Sequence, residues 1–206
     1  MSKNKIENLE RRTFTCNIES REEGEESRKV IGYASVFNSL SENLGGFREK
    51  IDRNAFDGVL EDDVRALINH DANYVLGRST AGTLSLSVDD DGLKYEFDVP
   101  ETSFGNDLLV SLKRGDITQS SFGFIVEEDS WDKDEKGNVI RTIEKVSRLL
   151  DVSPVTYPAY PETSVGKRNF LNYKTELEKI ENEKQEKDLL RRSLLENKLK
   201  LIKLKK

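Results

Sequence analysis

At 206 residues, with 35% hydrophobic and 35% charged side chains, the chain has apolar material for one domain with extensions rather than for a core filling its whole length. One cysteine, Cys16, excludes an internal disulfide framework and a cysteine metal cluster, and one histidine, His70, argues against histidine-based zinc sites. Charge is unevenly placed: residues 167–206 carry 13 Lys/Arg and 7 Asp/Glu against 20 and 32 in residues 1–166, so a body near −12 adjoins a tail near +6. That split favours contact between tail and body or with an acidic partner, and the acidic body argues against direct nucleic-acid binding.

Residues 1–11 are charged and read as a flexible N-terminus without an apolar signal region, and no stretch approaches the roughly 18 apolar residues of a membrane span, so a soluble, cytosolic protein is expected. Residues 12–18 alternate, with Phe14, Cys16 and Ile18 on one side, as a first strand. The apolar-free run 21–28 is a solvated turn. Residues 30–37 form a second strand, in which Gly32 marks a bulge or a close backbone approach. A loop over 38–46 precedes a predicted short helix at 54–60 capped by Asn54, and residues 64–70 read as a strand ending in Asn69-His70-Asp71.

The clearest local element is a hairpin. Leu84, Leu86 and Val88 alternate, Asp89-Asp90-Asp91-Gly92 turns, and Leu93, Tyr95, Phe97 and Val99 alternate back. A helix through Arg114 follows, with Leu108, Leu109 and Leu112 on one stripe and Gly115 as its stop. Next come a strand around Ser121, a polar loop over 127–138 containing Trp131, a long strand region over 139–155, and an irregular exit marked by Pro154, Pro158 and Pro161. From Asn169 onward, leucines and isoleucines spaced among Lys and Glu predict an amphipathic or coiled-coil helix, compatible with self-association. The fold class expected is β-rich α+β with a C-terminal helical arm, divided as 1–11, 12–166 and 167–206.

Three residue types invite chemistry. In the strand Gln119-Ser120-Ser121-Phe122-Gly123-Phe124, Ser120 shares the parity of the phenylalanines and faces the core, while Ser121 and Gly123 face the other way. Ser121 is therefore the better nucleophile candidate, set against an ordinary strand serine. A serine hydroxyl needs a base, and His70 is the one histidine available. A carboxylate would complete the set, and Asp151 stands out because it interrupts the apolar strand Leu149-Leu150-Asp151-Val152. An edge strand with Asp151 in solvent weighs equally, and Glu144 is the alternative acid. Arg141 and Arg148 lie in the right region to face a developing oxyanion.

The motifs Gly32-Tyr-Ala-Ser-Val-Phe-Asn38, Asn54-Ala-Phe-Asp57, Asn69-His70-Asp71, Leu76-Gly-Arg78, Gly82-Thr-Leu84, Ser121-Phe-Gly-Phe124 and Asp151-Val-Ser-Pro-Val-Thr-Tyr-Pro-Ala159, in this order, resemble the prohead serine protease family of tailed bacteriophages. The resemblance covers residues 12–165. It implies an assemblin-like β-barrel flanked by short helices. It also implies a serine endopeptidase, without cofactor or metal, acting in the host cytoplasm inside the immature head on scaffold, on the scaffolding region of the major capsid protein, and on itself. The family's histidine and serine map onto His70 and Ser121. Its acid, often Glu, maps onto Asp151, one methylene shorter. A rival expectation is a non-enzymatic capsid assembly protein built on the same fold.

Overall fold

The computed structural model describes residues 8–15, 19–20, 28–37, 39–157 and 164–203, and the chain divides into two compact units, Met1–Gly166 and Lys167–Lys206. The first unit contains strands β1 (Glu10–Thr15), β2 (Glu19–Ser20), β3 (Lys29–Val36), β4 (Phe47–Ile51), β5 (Arg65–Ile68), β6 (Asp71–Arg78), β7 (Ser85–Val88), β8 (Gly92–Asp98), β9 (Gln119–Lys133) and β10 (Val139–Val155). Helix α1 (Ser103–Arg114) joins the last two pairs. One sheet runs β1-β9-β10-β5-β6, with β4 pairing parallel to the far half of β10; the other runs β2-β3-β8-β7. Phe122, Phe124, Leu149 and Val152 of the first sheet and Val30, Ala34, Leu93, Tyr95 and Phe97 of the second meet in one buried core.

The expected barrel is not formed. Among the described residues no ladder closes either sheet on itself or joins the two. Strand β6 is an edge that turns Ala72, Asn73, Tyr74 and Val75 to solvent instead of pairing onward. Other expectations shift as well. The helix predicted at 54–60 is a run of i→i+3 turns, because Gly58 takes φ 84° and interrupts any helical ladder, while Ala55, Phe56 and Val59 are buried all the same. The polar loop of 127–138 is mostly strand: β9 continues to Lys133, held by its ladder to β10, and only residues 134–138 turn. The first strand begins at Glu10 rather than Arg12, and the Cys16–Ile18 part of its predicted course lies outside the described residues.

Local chemistry accounts for the elements that agree. Thr102 caps α1 by accepting from the Gly105 N–H at 3.1 Å, and Gly115 ends the helix in the left-handed conformation, φ 75°. Gly32 is a close approach: a Cβ there would lie 2.5 Å from the Tyr95 ring and hydroxyl, which fills the space opposite it. That hydroxyl in turn hydrogen-bonds Ser120 Oγ at 2.6 Å, so Ser120 is engaged in the core. Helix α2 (Ser164–Lys203) is one 40-residue helix that leaves Leu171, Ile180, Leu189, Leu190, Leu194 and Leu195 exposed.

A buried charge cluster ties the N-terminal strand to the rest of its sheet. Arg12 donates to Glu49 at 2.6 and 2.8 Å and to Glu10, and Arg141 donates to Glu10 at 2.8 Å, to Glu49 at 3.0 Å and to Asp129 at 2.6 Å. Burial alone would push the Glu10 carboxyl up; the Arg12 charge and the Arg141 hydrogen bond outweigh it and hold the group below its ordinary value. Its contribution to stability is therefore present above the ordinary carboxylate range and fades as pH falls through the lowered value. Replacing Arg141 by Met would leave Glu10 and Glu49 facing the one guanidinium of Arg12 and take from Asp129 its Arg141 hydrogen bond. The expected loss is about 3–5 kcal/mol in urea unfolding, and a loss below about 1 kcal/mol, the range of a surface pair, would show that the cluster is not the clamp described.

Candidate active site

The site begins with a turn. Strands β5 and β6 are joined through Asn69 and His70 alone, with Ile68 paired to Asp71, and both loop residues have positive φ, 54° and 58°. This is the two-residue hairpin connection whose twist matches its strands, a position usually given to Gly at its second residue. A histidine there accepts a strained backbone and gains a fixed outlook for its ring. Asn69 holds the turn against the end of β10. Its N–H donates to Pro154 O at 3.0 Å, and its side-chain oxygen accepts from the Thr156 N–H at 2.8 Å.

Beneath the turn, β9 and β10 supply the rest. Ser121 pairs directly with Ser153, and Gly123 with Asp151, so all four positions lie on one sheet face. His70 reaches down onto that face. Its Nε2 lies 2.6 Å from Ser121 Oγ, and its Nδ1 lies 2.7 and 2.9 Å from the two Asp151 oxygens, with Ser153 Oγ at 3.4 Å. With its proton on Nδ1, the imidazole donates to Asp151 and accepts from the Ser121 hydroxyl. His70 and Asp151 side chains are 8% and 9% exposed, and Ser121 is fully buried, so the three groups act on each other with little competition from water.

The arrangement brings together the three residues singled out by type, and separates them from the alternatives. Glu144 is exposed and accepts from Ser130 Oγ at 2.6 Å, away from His70. Arg141 is engaged in the buried cluster and does not face the site, and Arg148 is exposed on β10. Two contributors carry no local signal: Asn69, whose role depends on β10 running beside the turn, and Gly123. A Cβ at position 123 would fall 2.5 Å from Asp151 Oδ1. The obstacle is the movable end of a side chain, so Gly123→Ala is expected to displace the carboxylate from His70 while leaving the fold intact. About a 100-fold loss of turnover is expected for a displacement on the order of 1 Å, with little change in melting temperature; equal turnover would show that the carboxylate's position is unimportant.

The family model for the caudovirus prohead serine proteases matches residues 15–182, most of the chain and all of the site described above. The chain belongs to that family. Its serine protease character accords with a serine hydroxyl hydrogen-bonded to an imidazole that a carboxylate orients. Among solved structures, that of the bacteriophage T4 capsid assembly protease aligns with a TM-score of 0.44 at 12% identity, covering 72% of this chain and 97% of its own. No curated protein matches. Among the described residues no group of three or more His, Cys, Asp or Glu side chains is placed to hold a metal ion, and no helix is long and apolar enough to cross a membrane.

Proposed function

We propose that this family member is a serine endopeptidase in which Ser121 is the nucleophile, His70 the general base and acid, and Asp151 the group that orients and charges the imidazole. The single observation that supports the reading most is the continuous contact Asp151–His70–Ser121, at 2.7 and 2.6 Å. Ser121 Oγ attacks the scissile carbonyl carbon as its proton passes to His70 Nε2, and Asp151 stabilises the resulting imidazolium through Nδ1–H. Collapse breaks the carbon–nitrogen bond, and the amine leaves with the proton from Nε2. Water then repeats the sequence and releases the acid.

The substrates in this reading are the scaffold, the scaffolding region of the major capsid protein, and the chain itself, and the place is the interior of the immature head. The basic segment 167–206, opposite in charge to the body, serves as an arm that packs the enzyme among scaffold helices and is removed by self-cleavage. The test is co-expression with the capsid protein and scaffold of the same phage, following every chain by intact mass. Defined truncations, including loss of the arm, are expected with the wild-type chain and not with Ser121→Ala. The same truncations in both samples would remove Ser121 from the mechanism. Normal shells with every chain intact in both would favour a non-enzymatic assembly role.

A further inference from the structure

A tetrahedral intermediate at Ser121 needs donors for its oxyanion, and the strand that carries Ser121 has few to offer. Strand β9 is interior to its sheet: Gln119 to Phe124 pair with β1 on one side, and Gln119 to Phe124 pair with β10 on the other. Its backbone N–H groups there are engaged in ladders, unlike those of a nucleophile placed at a strand-to-helix turn. Arg141, on the far half of β10 and paired with Trp131, is committed to the buried charge cluster. A side chain on the same face of β9 can supply the donor that its backbone does not.

Gln119 is two residues before Ser121, hence on the same face and about 7 Å along the strand. Its side-chain Oε1 is buried without a hydrogen-bond partner among the described residues, a condition it shares only with Ser35 Oγ, on β3 of the other sheet. Buried carboxamides are ordinarily paired. A half turn about the last side-chain bond exchanges the oxygen for the amide nitrogen, which brings two N–H donors to the same spot.

We propose that the Gln119 carboxamide donates to the oxyanion formed when Ser121 attacks the scissile carbonyl, and is thus a fourth catalytic residue. As the Oγ–carbon bond forms, the carbonyl π pair moves onto oxygen, the hydroxyl proton goes to His70, and the Gln119 N–H gains a full acceptor. When the intermediate collapses, the pair returns to the carbonyl and the amine departs with the His70 proton. The donor is stronger toward the oxyanion than toward the neutral carbonyl, so it acts on rate rather than on ground-state binding.

This inference rests on the reading of Ser121 as nucleophile, and the experiment separates the two. Full-length Gln119→Met and Gln119→Leu chains, which keep similar volume without donors, are compared with wild type and Ser121→Ala in single-turnover cleavage of the cognate capsid protein. Affinity for the intact capsid protein is measured in the Ser121→Ala background with and without Gln119→Met. Expected is a loss of about 100- to 1,000-fold in the cleavage rate of both Gln119 variants, with affinity and melting temperature unchanged. Cleavage within about threefold of wild type, or a rate loss matched by lost affinity or a lowered melting temperature, would overturn the proposal while leaving Ser121 in place. Undiminished cleavage by Ser121→Ala would overturn both.

Discussion

A Ser121→Ala chain is expected to cleave its substrates about 10⁶-fold more slowly than wild type, and Ser121→Ala combined with His70→Ala no more slowly than either alone, because residues acting as one unit are not additive. The geometry is the reason. In the proposed mechanism the imidazole, 2.6 Å from Oγ through Nε2, takes the hydroxyl proton, and it has nothing to take once the hydroxyl is gone. The measurement is single-turnover cleavage of the capsid protein, the proposed substrate, at saturating enzyme for the four combinations. Multiplicative losses would mean that the two side chains act in separate steps, contrary to the contact between them.

Asp151→Asn is expected to lower turnover about 10⁴-fold, the size this change has in a serine protease where the same role is filled. Both Asp151 oxygens face Nδ1, at 2.7 and 2.9 Å, so the carboxylate fixes the imidazole proton there and leaves the Nε2 lone pair turned to Ser121. An amide nitrogen in its place would donate to Nδ1, send the ring proton to Nε2 and aim an N–H at the hydroxyl it should deprotonate. Thermal unfolding should change little, since shape and volume are kept. A loss of less than about tenfold in kcat would sink the assignment and show that the imidazole is oriented by its strained turn and Ser153 alone.

How much of this was legible in the sequence depends on whether a feature is local. The alternation of faces separates Ser121 from Ser120, and the structure ties Ser120 to Tyr95 in the core while bringing Ser121 under His70. Asp151 stands out because an acid in an apolar strand needs a partner. The stop of α1 at Gly115 and the Asp89–Gly92 turn follow from residue chemistry within a few positions. What pattern reading misses is decided by distant neighbours. Strand β4 exists because Phe47, Glu49 and Ile51 lie parallel to β10, and β6 is an exposed edge with no apolar alternation to announce it. Glu10 reads as part of a charged end until Arg12 and Arg141 are found around it. The functions of Gly123 and Asn69 are likewise invisible until β10 is beside them.

The turn that carries His70 also sets where the chain tolerates a change of length. A two-residue connection admits no insertion: a third residue changes the class of turn, releases Asn69 from Pro154 and Thr156, and swings the imidazole off Ser121. The tip of the β9–β10 hairpin is the opposite case. Residues 134–138 close on themselves through Asp134 and Asn138, and they lie roughly 40 Å along the strand from Ser121. The far end of the long hairpin is therefore the place expected to accept a longer loop or a grafted peptide, while the two-residue loop of Asn69 and His70 is the one whose length cannot drift.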